Sequence, residues 1–448
     1  MSCRKSSLDR LGKQLLKIRD IRISWFSAIC VALICTCIGT AQEPCLLIPG
    51  QEFSVGSQPG SIVSADFDND GLDDFAYMTW QGFETLFVFF NDGKGGFLET
   101  AVDFPGSSAR FIYAADIDGD SDIDLAHVSS SLIYLYFNNG DRTFSSEVST
   151  GINHAGNTFH FADVDGDADN DFLFLDDGCD VVEVYSNNGS GTFSFESRVD
   201  VSGNAEQLEI GDFDGDSDID FALSVSDSSA ATVDTVTIYK NDGTGSFNVG
   251  VTIPVPDGTT FLEGADMDGD GDVDLAITSR FEDVVSIYLN DGSPFSVFLK
   301  SESYQTGSQP IQLQLLDIDG DLDIDIVTSN TEGSSISLLL NNGDATFASA
   351  VFFPTEEDPG AIAIGDLNND GAPDILTAHR LEDVVQTHIN DCFIVLGDVN
   401  LDGTVDLLDV DPFVQVLANR EYQVEADINR DGTVDLLDVP LFVALLVG

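Results

Sequence analysis

Seven clusters of carboxylates recur along this chain in one spacing, and ligation of a hard cation is the chemistry that spacing serves. The clusters are Asp66, Asp68, Asp70 and Asp74; Asp116, Asp118, Asp120 and Asp124; Asp163, Asp165, Asp167 and Asp171; Asp212, Asp214, Asp216 and Asp220; Asp266, Asp268, Asp270 and Asp274; Asp317, Asp319, Asp321 and Asp325; and Asp366, Asn368, Asp370 and Asp374. Each places oxygen ligands at positions 1, 3, 5 and 9 of a short loop. Alternate oxygens on a tight turn are what calcium takes. Position 6, where such a loop bends sharply, is Gly71, Gly271 and Gly371 in three copies. It is Ser121, Ala168, Ser217 and Leu322 in the other four, which predicts loops that bend less easily or bind more weakly.

A second kind of acidic loop closes the chain. Asp398, Asn400, Asp402, Thr404, Asp406 and Asp409 occupy positions 1, 3, 5, 7, 9 and 12 of one segment. Asp427, Asn429, Asp431, Thr433, Asp435 and Asp438 repeat the pattern. Those positions, with Gly at position 6, are the EF-hand scheme for calcium. An apolar, helix-like run follows each loop, from Pro412 and from Pro440, and proline suits a first helical turn.

Other chemistry finds little support in the residues. The histidines, His127, His154, His160, His379 and His388, form no metal-binding or triad signature. No nucleophile elbow, phosphate loop or dinucleotide fingerprint occurs.

The elements that must hold the seven loops follow from their period. Successive loops start 50, 47, 49, 54, 51 and 49 residues apart, a spacing that signals a repeat architecture. Within each repeat a short apolar strand leads into the loop, as at Ile62–Ala65, and a second leaves it, as at Phe75–Met78. A third strand ends in an Asn/Asp/Gly turn, as at Asn91-Asp92-Gly93 or Asn341-Asn342-Gly343, and such turns favour hairpins. A fourth strand is expected to start at an aromatic: Phe97, Phe144, Phe193, Phe247, Phe295 or Phe347. Four short strands per repeat, without helical periodicity between them, describe one propeller blade. The fold class expected is therefore all-β, a seven-bladed propeller, followed by a small helical module.

The seventh repeat lacks a fourth strand, since it breaks at Cys392-Phe393. The segment Gln51–Pro59, ahead of the first loop, supplies a matching strand and would close the ring, removing two exposed sheet edges. Cys45 enters that strand and Cys392 leaves its neighbour, so a clasping Cys45–Cys392 disulfide is expected, with Cys179 free. The first residues read differently. Six cations from Lys5 to Arg22 precede an apolar run from Trp25 to Ile38, then small residues Gly39–Ala41. That is the plan of a secretory signal, and the apolar run is short for a membrane span of about 20 residues. The domains expected are a signal at 1–41, a propeller at 42–394 and a calcium module at 395–448. With 79 acidic and 17 basic residues, nucleic acid and anionic membranes are poor partners.

The seven loops resemble FG-GAP/VCBS repeats, the calcium-loop blades of integrin α-subunit propellers and of many secreted bacterial proteins. The two C-terminal loops resemble a type I dockerin, whose relatives dock onto cohesin domains. That resemblance implies partner contacts near loop positions 10 and 11, here Leu407, Leu408, Leu436 and Leu437, more apolar than the usual hydroxyl-bearing pairs. Together the resemblances imply an exported, calcium-stabilised scaffold for binding or adhesion, with a glycan or protein ligand and a cohesin-like or other surface partner. The alternative is an extracellular polysaccharide-degrading lyase or hydrolase on the same scaffold. A ligand face is expected opposite the acidic loops, where Arg110, Arg280 and Arg380 fall near Trp80 and His379.

Overall fold

The computed structural model describes residues 47–390 apart from 56–57, 80–85, 94–95, 103–108, 130–131, 146–147, 153–157, 177–179, 202, 227–233 and 294–296, together with 410–419, 439, 442 and 443. Residues 45–392 form one compact unit, and the C-terminal helix belongs to another.

The first unit is seven four-stranded antiparallel sheets. The third blade is representative: Thr158–Ala162, Asp171–Asp176, Val181–Asn187 and Phe193–Asp200, paired in chain order. Its second strand is buried at every position, while its fourth exposes most of its residues. The gradient has a simple cause: inner strands are covered on both faces by neighbouring blades, and outer strands are not. The cores accordingly lie between blades. Phe67, Val88, Phe90 and Met78 of the first blade pack with Ile112, Leu125 and Tyr136 of the second.

The ring closes from the N-terminal side as expected, but the closing strand lies earlier than Gln51–Pro59, because Pro59 already opens the first strand of the first blade, Pro59–Ala65. Leu47–Ser54 pairs antiparallel with Val384–Asn390, Leu47 opposite Asn390 and Ser54 opposite Val384, and so becomes the outer strand of the seventh blade. Phe53 on this strand packs against Phe97 and Phe75 of the first blade at ring distances of 5.2 and 5.9 Å. Phe53 is only half-buried, so this contact contributes less than the about 3–5 kcal/mol that a Phe-to-Ala change costs in a full core.

Three outer strands start later than the aromatic rule predicts. Phe144 and Phe347 form only isolated bridges, to Asn138 and Asn341, and the strands proper are Val148–Gly151 and Val351–Pro354. In the fifth blade Phe295 lies outside the described residues, and Phe298 takes the place opposite Asn290. That turn is two residues longer than its counterparts, which moves the pairing aromatic along the chain.

In the second unit the helix Val410–Asn419 buries Val410, Phe413 and Val416. Phe413 stacks on Phe442 at 3.9 Å between ring centres. Both C-terminal loops lie outside the described residues, as do Leu407, Leu408, Leu436, Leu437, Cys45, Cys179, Cys392 and the first 46 residues. No helix among the described residues is long and apolar enough to cross a membrane.

Candidate metal centres

Each propeller loop is organised by its own carboxylates. The position-1 aspartate accepts backbone N–H groups from positions 4, 5 or 6; in the fifth loop Asp266 takes those of Gly269, Asp270 and Gly271 at 2.8–3.1 Å. The position-5 aspartate accepts the N–H of position 7, as Asp120 does from Asp122 at 3.0 Å. These bonds curl the loop so that alternate side chains point inward. Carboxylate oxygens of Asp116, Asp118 and Asp124 come within 4.8 Å of one another. So do those of Asp163, Asp165 and Asp171, of Asp212, Asp214 and Asp220, and of Asp266, Asp268 and Asp274. In the first loop the converging set is Asp66, Asp68 and Asp70.

Position 6 bends equally in all seven loops. Its φ is positive throughout, at 89° for Gly71, 77° for Ser121, 75° for Leu322 and 83° for Gly371. The expectation of a less bent loop at Ser121, Ala168, Ser217 and Leu322 is corrected accordingly. The bend is imposed by the bond from the position-6 N–H to the position-1 carboxylate, present in glycine and non-glycine copies alike. The non-glycine copies carry about 1–2 kcal/mol of left-handed strain each.

Position 9 has a second role that its spacing did not disclose. Asp74, Asp124, Asp171, Asp220, Asp274, Asp325 and Asp374 are buried, and each uses both oxygens on backbone. Oδ2 accepts the position-2 N–H at 2.9–3.1 Å. Oδ1 accepts the N–H of an asparagine at the end of the third strand or two residues beyond it, at 2.7–2.9 Å. That asparagine is Asn91, Asn138, Asn187, Asn241, Asn290, Asn341 or Asn390. Its side-chain amide donates to the position-2 carbonyl of the preceding blade, at 2.8–3.1 Å in all seven cases. Asn91 reaches Leu367 and Asn138 reaches Phe67, so the bonds run once around the ring. The signal for these asparagines was present in the sequence as an Asn opening the turn after every third strand, and a hairpin turn alone accounts for it less completely.

The donor set fits a hard cation. Oδ1 of Asp118, Asp214 and Asp319, all at position 3, is shut off from solvent and has no hydrogen-bond partner. Burial, then the carboxylate at position 5, raises the pKa of Asp118, Asp268 and Asp319. Burial pushes Asp74, Asp124, Asp220, Asp274, Asp325 and Asp374 up to about 7 and Asp171 to about 6, against the pull of their backbone donors. Anionic oxygens held together without a counter-charge favour a bound cation. Among the described residues two loops already receive one from the protein. Arg142 bonds Asp68 and lies 3.5 Å from Asp70, and Lys240 Nζ lies 3.2 Å from Asp214.

The expected ligand face is only partly assembled. Arg280 lies over the ring of Phe281, 4.8 Å from its centre, and Phe281 is 69% exposed. Arg380 is paired with Asp358 at 2.9 Å beside a cavity of about 460 Å³ bordered by Gln309, Glu332 and Leu381. His379 is corrected: it is fully buried, bonded to Thr377 at 2.8 Å and to the Glu357 carbonyl at 3.3 Å, because it closes the inward-facing second strand of its blade. Arg110 lies on the strand Ala109–Ala115, and Trp80 falls outside the described residues.

Known proteins agree with this architecture. The FG-GAP-like repeat family matches residues 66–127, 116–174, 163–223, 212–277, 266–328 and 317–377. Residues 396–444 match the type I dockerin domain. No curated protein matches in sequence. A crystal structure of BBS1N in complex with ARL6DN, soaked with lead, superposes with a TM-score of 0.55 at 10% identity, covering 77% of this chain and 97% of that one. A protein from Lactobacillus plantarum superposes at 0.50 and 16% identity, covering 68% and 86%. At such identities the likeness is one of fold. The chain belongs to the FG-GAP-like repeat family and carries a type I dockerin domain at its C-terminus.

Proposed function

We propose that this protein is an exported propeller scaffold whose acidic loops hold calcium and whose dockerin attaches it to a cohesin-type partner on a cell surface or in an extracellular assembly. The observation that carries the reading is the orphaned position-3 oxygen inside a convergent carboxylate set, alongside a C-terminal dockerin match. Ligands for the cation come from positions 1, 3, 5 and 9 of the propeller loops, and from Asp398–Asp409 and Asp427–Asp438 in the dockerin. Calcium supplies positive charge to loops whose carboxylates otherwise repel. The chain's own backbone N–H groups and the position-9 staple pre-form the loop. Leu407, Leu408, Leu436 and Leu437 are the partner contacts in this reading. The face bearing Arg280, Phe281 and Arg380 takes the ligand, a glycan or a protein.

Capture experiments test the attachment. Full-length protein in calcium should retain an immobilised type I cohesin, and chelator should release it. Leu407→Ser with Leu436→Ser should abolish capture while leaving calcium-induced helicity intact. Loss of helicity in that variant would place these leucines in the core instead. A glycan array run beside a lyase and hydrolase screen tests the scaffold role, since turnover of any polysaccharide would replace it with an enzymatic one.

A further inference from the structure

The first strands of the blades surround an axial cavity of about 560 Å³, and their side chains are not equivalent. Three residues before each acidic loop stand, in ring order, Val63, Tyr113, His160, Glu209, Glu263, Gln314 and Ala363. All seven border the cavity. Five consecutive blades thus offer polar groups, and the two that follow offer the smallest apolar ones.

The polar arc is held by the walls. The Gly264 N–H favours the charged form of the Glu209 carboxyl, and the Leu315 N–H favours that of Glu263. His160 Nε2 lies 2.8 Å from the Leu208 carbonyl and 4.0 Å from Glu209 Oε2. Gln314 donates to the Leu313 carbonyl at 3.0 Å, which leaves its amide oxygen as an acceptor. Glu263 Oε2 has no hydrogen-bond partner and almost no contact with solvent. Among the described residues no Lys or Arg pairs with either carboxylate: Arg280, at the cavity's border, lies over the Phe281 ring. Burial accordingly pushes Glu209 up to about 8 and Glu263 well above the carboxylate range, the latter raised further by Glu209. Aromatic residues complete the lining: Tyr113, Phe111 and Phe261.

We propose that the axial cavity binds a small organic ammonium ion, with Glu209 and Glu263 as its anchors and Gln314 as a further acceptor. The site is separate from the acidic loops and adds a ligand to the scaffold reading. An ammonium group donates charge-assisted hydrogen bonds to both carboxylates and relieves their repulsion. Its alkyl part lies against aromatic rings that also favour cations. The cavity has room for several non-hydrogen atoms beyond the charged group, more than a bare metal ion fills.

The probe is n-butylammonium, titrated against the full-length protein at saturating calcium and followed by ligand-observed NMR. n-Butanol and butyrate serve as neutral and anionic counterparts. Saturable n-butylammonium binding is expected, with n-butanol at least tenfold weaker and butyrate unbound. Glu209→Gln with Glu263→Gln should weaken n-butylammonium at least tenfold. The amides keep the acceptors for Gly264 and Leu315, so thermal stability should be kept or raised. If the double variant does not fold, Glu263→Gln alone carries the test, with the same tenfold loss expected. Equal binding in wild type and variant would place the ion on the acidic surface and overturn the proposal. So would n-butanol binding as well as the ammonium, or displacement of the ammonium from wild type by further calcium, which would make the cavity a divalent-metal site.

Discussion

Replacing Asn341 by alanine tests whether the asparagine–loop bonds hold the blades together. Its side chain is buried and makes three bonds: Nδ2 to the Met267 carbonyl at 2.8 Å in the preceding blade, Nδ2 to the Ile324 carbonyl at 3.0 Å, and Oδ1 from the Gly343 N–H at 3.1 Å. Each bond is worth about 1 kcal/mol net, and a buried carbonyl left bare adds about 1–3 kcal/mol. The expected loss is about 3–5 kcal/mol. Asn342→Ala is the matched control, because its neighbouring side chain is exposed and bonds only within its own turn, to Thr346 at 2.7 and 3.0 Å. That change should cost under about 1 kcal/mol. Urea unfolding at saturating calcium reads the difference as a lowered midpoint at unchanged slope. Asn341→Asp keeps the bond from Gly343, loses both donations and sets a carboxylate against two carbonyls, so it should cost at least as much as alanine. An Asn341→Ala midpoint no lower than that of Asn342→Ala would refute the reasoning.

Four further outcomes are expected. Chelation should lower the thermal midpoint, since calcium at about 100 times Kd contributes about 2.7 kcal/mol per site; equal midpoints with calcium and with chelator would refute structural calcium. Without calcium, stability should fall as pH rises from about 4 to about 7: the position-9 carboxyls have folded pKa values above the ordinary 3.8, so the folded chain binds more protons than the unfolded across that window, and a flat pH profile of the chelated protein would contradict this. Phe413→Ala should cost about 3–5 kcal/mol in the C-terminal module, because its ring is buried against Phe442, and calcium-induced helicity measured by circular dichroism should weaken accordingly. Non-reducing peptide mapping should recover Cys45 joined to Cys392, each two residues beyond the paired Leu47 and Asn390, with Cys179 as a thiol; Cys45 joined to Cys179 would reject the clasp.

Much of the fold was legible because it is written seven times. The acidic loops fixed the period, the apolar runs on either side fixed the first two strands, and the missing fourth strand after Asn390 pointed to the segment ahead of the first loop, though to Gln51–Pro59 rather than the Leu47–Ser54 that pairs. What one copy leaves ambiguous, seven copies in register settle. The rest depended on relations between copies, which a linear pattern does not express. Asn241 reads as a turn residue until the Val164 carbonyl of another blade is seen 2.8 Å from its amide. Leu322 reads as a poor hinge until the bond from its N–H to Asp317 shows the loop bending regardless. His379 sits beside the loop residue Arg380 in sequence, yet the alternation of a strand covered on both faces turns it inward. Glu209 and Glu263 escaped notice because each stands alone in its own repeat; only ring geometry makes them neighbours.

The closing strand also decides how the ring carries load. The chain leaves the propeller from Val384–Asn390, which is not an edge: Asp374–His379 pairs on one side and Leu47–Ser54 on the other. Tension transmitted from a tethered C-terminus therefore enters a strand gripped by two ladders. An edge strand under tension can peel one hydrogen bond at a time, whereas a strand held on both sides must shear two rows together. The N-terminal segment thus converts a vulnerable exit into a mechanical anchor.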